Sequence, residues 1–140
     1  MMTAENYFAF MEAVSKQICD PMMPIRMGTA EELKTFSPPI FAAYCSRNGK
    51  NCIERLAQYK RLIGPLIFLT TGQADVYTLE IVALGSSQRI PAFPIELEFV
   101  FIVHLLRSAS KVPISPLSVC FKDAILNEAM TKFFGCTPER

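Results

Sequence analysis

Apolar residues recur at three- and four-residue intervals from the start of the chain, where Tyr7, Met11, Val14 and Ile18 make one stripe. That spacing predicts a helix over 4–19, with Thr3 as its cap and Asp20-Pro21 as its end. Thr29 and Glu32 have the spacing of a capping box, which predicts a short helix to about Phe36 with a turn at Ser37. Pro38-Pro39 suit the first positions of a further helix, Ile40 to about Arg47, and Asn48-Gly49 reads as its left-handed stop. Three helices are thus expected before position 50.

Asn51 is expected to cap a fourth helix, in which Cys52, Ile53, Leu56, Tyr59 and Ile63 face inward. On its opposite side Glu54, Gln58 and Arg61 follow at i, i+4 and i+7. Gly64-Pro65 breaks the helical period. Leu66 to Leu69, a turn at Thr71-Gly72-Gln73, and the β-rich run Val76 to Val82 then read as an antiparallel hairpin. Gly85 to Pro94 is expected to be a loop, and Ile95 to Ser108, apolar on nearly every side, a buried helix. Leu117 to Phe121 alternates like a strand, and Asp123 caps a last helix whose Phe133-Phe134 precede a Gly135 stop. The predicted fold class is α+β: N-terminal helices followed by a small, mainly antiparallel sheet packed against helices.

Composition narrows what such a fold does. The 140 residues suffice for one domain, and a hydrophobic share of 51% with mean hydropathy +0.26 supplies a core and excludes disorder. Fourteen Lys plus Arg against thirteen Asp plus Glu leave a net charge of +1, without the basic excess of an isolated nucleic-acid-binding module. The apolar run Phe99 to Leu106 meets Arg107 far short of the ~20 residues that a membrane span needs. No charged-then-apolar leader opens the sequence, so the cytoplasm is the expected compartment.

Five cysteines, an odd number with no C-x-x-C pair, argue against a disulfide framework or zinc knuckle. Reduced thiols acting as small hydrophobes are expected, as in Val119-Cys120-Phe121. His104 is the single histidine. It reads as a neutral core histidine, with a ligand contact or axial ligation of haem as alternatives. Nucleotide-binding glycine patterns and the G-x-S-x-G elbow are absent, and no nucleophile, base and orienter assemble at a recognisable spacing, so an enzyme is not expected.

Glu96 and Glu98 stand near the start of the buried helix, where the helix dipole favours an acid. On one helix, Glu96, Val100, Val103 and Arg107 lie along one side, a carboxylate and a guanidinium bracketing an apolar strip about three turns long. Between Arg47 and Arg61 five basic residues, Arg47, Lys50, Arg55, Lys60 and Arg61, face the single acid Glu54. This run reads as a solvated helix face, with an anionic ligand or contact to another domain or DNA as alternatives.

Several segments in order resemble the N-terminal effector domain of AraC/XylS-type bacterial transcription regulators, in the "arabinose-binding" subgroup. They are Phe36 to Ala43, Cys45-Ser46, Ile53 to Pro65, Glu96 ahead of the apolar helix ending in Arg107, Val112-Pro113 to Phe121, and Phe133-Phe134-Gly135. The resemblance implies an α+β sensor domain of a cytoplasmic regulator that binds a small molecule or another protomer and sets the activity of a helix-turn-helix pair. No helix-turn-helix follows Arg140, and the strands implied after the Phe-Phe-Gly helix are not found. Residues 1–140 are therefore expected to be a single sensor and dimerisation domain, reaching DNA only through a C-terminal domain missing from this chain.

Read from polarity, the candidate effector-binding residues are Phe41, Tyr44, Tyr59, Glu96, His104 and Arg107, aromatics as walls and charged groups as orienting ends. The expected partners are a small-molecule effector and a second copy in a homodimer; no membrane, metal or cofactor is expected. A ligand-free dimerisation module, or a haem or lipid carrier using His104 or the Phe-rich interior, are the competing readings.

Overall fold

The computed structural model describes residues 3–30, 37–63, 65–83, 90–121 and 128–139. Among these residues six helices and one hairpin follow in the order α1 (Ala4–Gln17), α2 (Met23–Gly28), α3 (Pro38–Tyr44), α4 (Gly49–Ile63), β1 (Leu66–Gln73), β2 (Val76–Ala83), α5 (Ala92–Ser110) and α6 (Glu128–Phe134). The class is α+β, with helices packed on a two-stranded antiparallel sheet.

Thr3 caps α1 as its sequence predicts, Asn6 N–H donating to Thr3 Oγ1 at 3.1 Å, and Phe8 is the side chain that α1 buries. The α2 helix is not foreseen by periodicity. It is six residues long and holds Pro24, a residue that reads as a breaker but is tolerated in a first turn, where its missing N–H has no intrahelical acceptor anyway. Thr29 closes α2, its hydroxyl donating to the Ile25 carbonyl at 2.6 Å; the remainder of the expected capping-box helix, including Glu32 and Phe36, lies outside the described residues.

Pro38-Pro39 do open α3, which ends at Tyr44, three residues before the expected Arg47. Asn48-Gly49 starts α4 instead of stopping α3. Asn48 Oδ1 accepts from Asn51 N–H at 2.9 Å, so the cap is Asn48 and not Asn51. The hairpin forms in the register Leu66 opposite Ala83 through Gln73 opposite Val76. Its turn falls two residues later than Thr71–Gln73 suggests, at Ala74-Asp75, with Ala74 at φ 53°.

The buried helix begins three residues before Ile95, and Pro94 is inside it rather than in the loop. Its apolar surface is needed on more than one side because α5 separates two cores. Ile102 and Leu105 join Ala43, Cys52, Leu56, Ala57 and Phe68 in one. Val100 and Val103 join Val119, Phe121, Met130 and Phe134 in the other. The alternation at 117–121 is visible as buried Val119 and Phe121 around exposed Cys120, yet the segment forms an isolated parallel bridge, Cys120 to Glu139, in place of a strand ladder. Gly135 ends α6 at φ 76°, as expected, while Asp123 lies outside the described residues.

Candidate functional site

The amphipathic period of α4 turns Leu56 and Ala57 into the core and leaves Glu54, Gln58 and Arg61 on one polar stripe. That stripe is not simply a solvated face. With Ala57 beneath it and Phe68 and Thr70 of β1 opposite, it lines an open groove of about 200 Å³. Phe68 is 1% exposed, so the groove has a packed apolar floor and polar walls. Glu54 is held from the sheet side, where the Tyr77 hydroxyl donates to its Oε1 at 3.4 Å.

Next to Arg61, Lys60 points elsewhere. Its Nζ pairs with Glu98 Oε1 of α5 at 2.5 Å and stands 5.6 Å from the centre of the Phe68 ring. The basic run is thereby divided: Lys60 is a half-buried strut between helices, Arg55 donates to the Ala42 carbonyl at 2.7 Å, and Arg61 lines the groove. Burial and the nearby Glu98 carboxylate together push the Tyr7 phenol above its ordinary range. A polar seam thus joins α1, α5 and α4 beside the groove.

The structure distributes the residues read from polarity. Phe41 and Tyr44 stack on one face of α3, ring centres 6.3 Å apart, with Phe41 51% exposed and Tyr44 against the first core. Tyr59 is half-buried on α4. Glu96, His104 and Arg107 are all carried by α5 and all half-buried. Glu96 and Arg107 are eleven residues apart, about 16 Å along the axis, so they mark the two ends of a strip. Burial raises the Glu96 carboxyl from 4.5 to about 6. Because α5 starts earlier than expected, neither Glu96 nor Glu98 lies in its first turn, where the dipole would favour the charge most.

Arg107 already has partners. Its Nε donates to the Ile114 carbonyl at 2.6 Å, one Nη donates to the Phe134 carbonyl at 3.5 Å, and the guanidinium lies 4.8 Å from the Phe133 ring centre. These contacts bind the end of α5 to the 112–116 segment and to α6. None of the six candidates lines the α4–β1 groove. Its helical half was legible as the i, i+4, i+7 stripe; the missing signal was which strand faces it.

The thiols depart from expectation. All five are free, but only Cys52 is buried, its pKa pushed up to about 11 by burial, while Cys19, Cys45 and Cys120 are exposed. In a strand-like segment alternate positions point outward whatever their neighbours' polarity, which accounts for Cys120.

A polar-walled groove on the amphipathic helix of a small α+β domain is the geometry of a binding module. The family described as the arabinose-binding domain of AraC transcription regulators, N-terminal, matches residues 1–140, and the chain belongs to it. No curated protein and no solved structure matches it. Membership makes it a regulator's ligand-binding domain, and no helix among the described residues is long and apolar enough to cross a membrane.

Proposed function

We propose that this chain is the effector-sensing domain of a bacterial cytoplasmic AraC-type regulator and that the effector enters the groove between α4 and β1. The observation that carries this reading is the convergence of Glu54, Gln58, Arg61 and Thr70 over a floor of Ala57 and Phe68. Such a mixture of a few orienting polar groups and packed apolar surface is the usual make-up of a small-molecule site. Because α4 is tied to α5 through Lys60 and Glu98, a ligand that binds one arrangement of the two helices more tightly shifts the population toward it. The switched output is a helix-turn-helix domain beyond this sensor. In this scheme α5, with Glu96, His104 and Arg107, relays the change toward the second core, while Phe41, Tyr44 and Tyr59 supply aromatic surface on α3 and α4.

A thermal-shift panel of amino acids, polyamines, sugars and fatty acids tests it. A ligand at 100 times its dissociation constant adds about 2.7 kcal/mol to the folded state. Stabilisation by one chemical class supports sensing; a flat panel on folded protein contradicts it.

A second reading, a ligand-free dimerisation module, is favoured by apolar side chains left in solvent, with Leu62 85% exposed and Leu69 and Val76 also exposed. A concentration-dependent dimer that no compound stabilises would select that reading.

A further inference from the structure

Resting on the reading of the groove as the effector site, we infer that its ligand is a small zwitterion, with its carboxylate on Arg61 and its ammonium on Glu54. The ion pairs among the described residues are Arg26 with Asp20 and Lys60 with Glu98, which leaves the Arg61 guanidinium without an acidic partner there. Its planar fork of donors matches a carboxylate in two parallel hydrogen bonds. Glu54 sits seven residues earlier, about 10.5 Å along the helix axis, and as a carboxylate it only accepts. Tyr77 donates to Oε1, which leaves Oε2 for a donor from the ligand.

Gln58 lies one turn from each and both donates and accepts, and Thr70 adds a hydroxyl from β1. A simple anion in this groove meets the charge of Glu54, and a simple amine meets that of Arg61. A ligand carrying both signs is attracted at both ends. The neighbouring ammonium of Lys60 does not blur this pattern, since Glu98 neutralises it. At about 200 Å³ the groove is smaller than the roughly 300–1,000 Å³ of sites for drug-sized ligands, which selects a short metabolite over a long acyl chain.

The test is an amide ¹H–¹⁵N NMR titration of the protein with four probes: 5-aminopentanoate, pentanoate, pentylamine and L-arabinose. The expected result is saturable movement of amides in 57–61 and 68–70 with 5-aminopentanoate. Binding of each singly charged probe should be at least tenfold weaker, and Arg61→Gln and Glu54→Gln should each weaken the zwitterion tenfold or more in a protein with unchanged peak dispersion. Arg61→Lys, which keeps the charge and loses the fork, should fall between. Equal or tighter binding of pentanoate or arabinose at the same amides overturns the zwitterion and leaves the sensor reading standing. If no probe moves these amides while a compound from the thermal panel moves others, the groove is the wrong site. If nothing moves and the panel is flat, the sensor reading fails as well.

Discussion

Lys60 of α4 and Glu98 of α5 face each other across the helix pair at 2.5 Å, with only 18% and 16% of their side chains exposed. Charges this shielded are screened little by solvent, and removal of one leaves the other unpaired in a poor dielectric. Glu98→Gln is expected to destabilise the fold by about 2 kcal/mol, and Lys60→Met together with Glu98→Leu by less than Glu98→Gln alone. Urea unfolding at unchanged m checks both. The same Glu98→Gln variant should lower the Tyr7 pKa, since a raising charge is removed, while burial still holds it above the ordinary 10.0. Phenolate absorbance follows that change.

Glu96 gives the fold a pH dependence of known sign. Its folded pKa, about 6, exceeds the ordinary 4.5, so the folded state binds the proton more tightly than the unfolded state. Its contribution is fully present below pH 4.5 and is lost as pH rises through about 6. Discounted for partial solvent screening, the loss is about 1 kcal/mol. Glu96→Gln, a neutral isostere, should flatten that part of the stability profile measured by chemical denaturation; an unchanged slope would assign it to other groups.

The approach of α2 to α5 depends on Gly28. A Cβ there would stand 2.6 Å from Val100 Cγ1 and 3.1 Å from the Phe101 backbone nitrogen, which cannot swing aside. Gly28→Ala should cost about 1–3 kcal/mol, and adding Val100→Ala should relieve only the Val100 side-chain clash while opening a cavity of its own. Thermal unfolding of the single and double variants distinguishes this from the effect of helix propensity alone, for which alanine would be stabilising.

Arg107, a candidate orienting end of an effector site, makes the contacts of a clamp in the fold. Arg107→Lys keeps the charge and forfeits the two-carbonyl fork and the stack on Phe133. A stability loss of about 1–3 kcal/mol is expected, with the dissociation constant of any compound found by thermal shift unchanged. A weakened affinity without destabilisation would return Arg107 to the binding site.

Local periodicity made α1, α4, the hairpin and most of α5 legible, because each carries its own pattern of faces. It failed where a single residue had two meanings: Pro24 as breaker or first-turn residue, and Asn48 as the end of one helix or the cap of the next. The α4–β1 groove was hard to read for a different reason. Glu96 and Glu98 are two positions apart and so about 200° apart around a helix, and nothing local says which one meets a lysine 38 residues away. Likewise the Glu54, Gln58, Arg61 stripe was visible, whereas its pairing with Phe68 and Thr70 depends on how β1 packs back on α4. Long-range packing, absent from a local pattern, decides both.

The most direct test of the groove as the effector site is amide hydrogen exchange with and without the compound that the thermal panel selects. Slowed exchange in 54–61 and 66–71, with smaller effects along α5, is the predicted result. Protection confined to 38–44 or 92–107, with the groove segments unchanged, would contradict the account and move the site to the stacked aromatics of α3 or to α5.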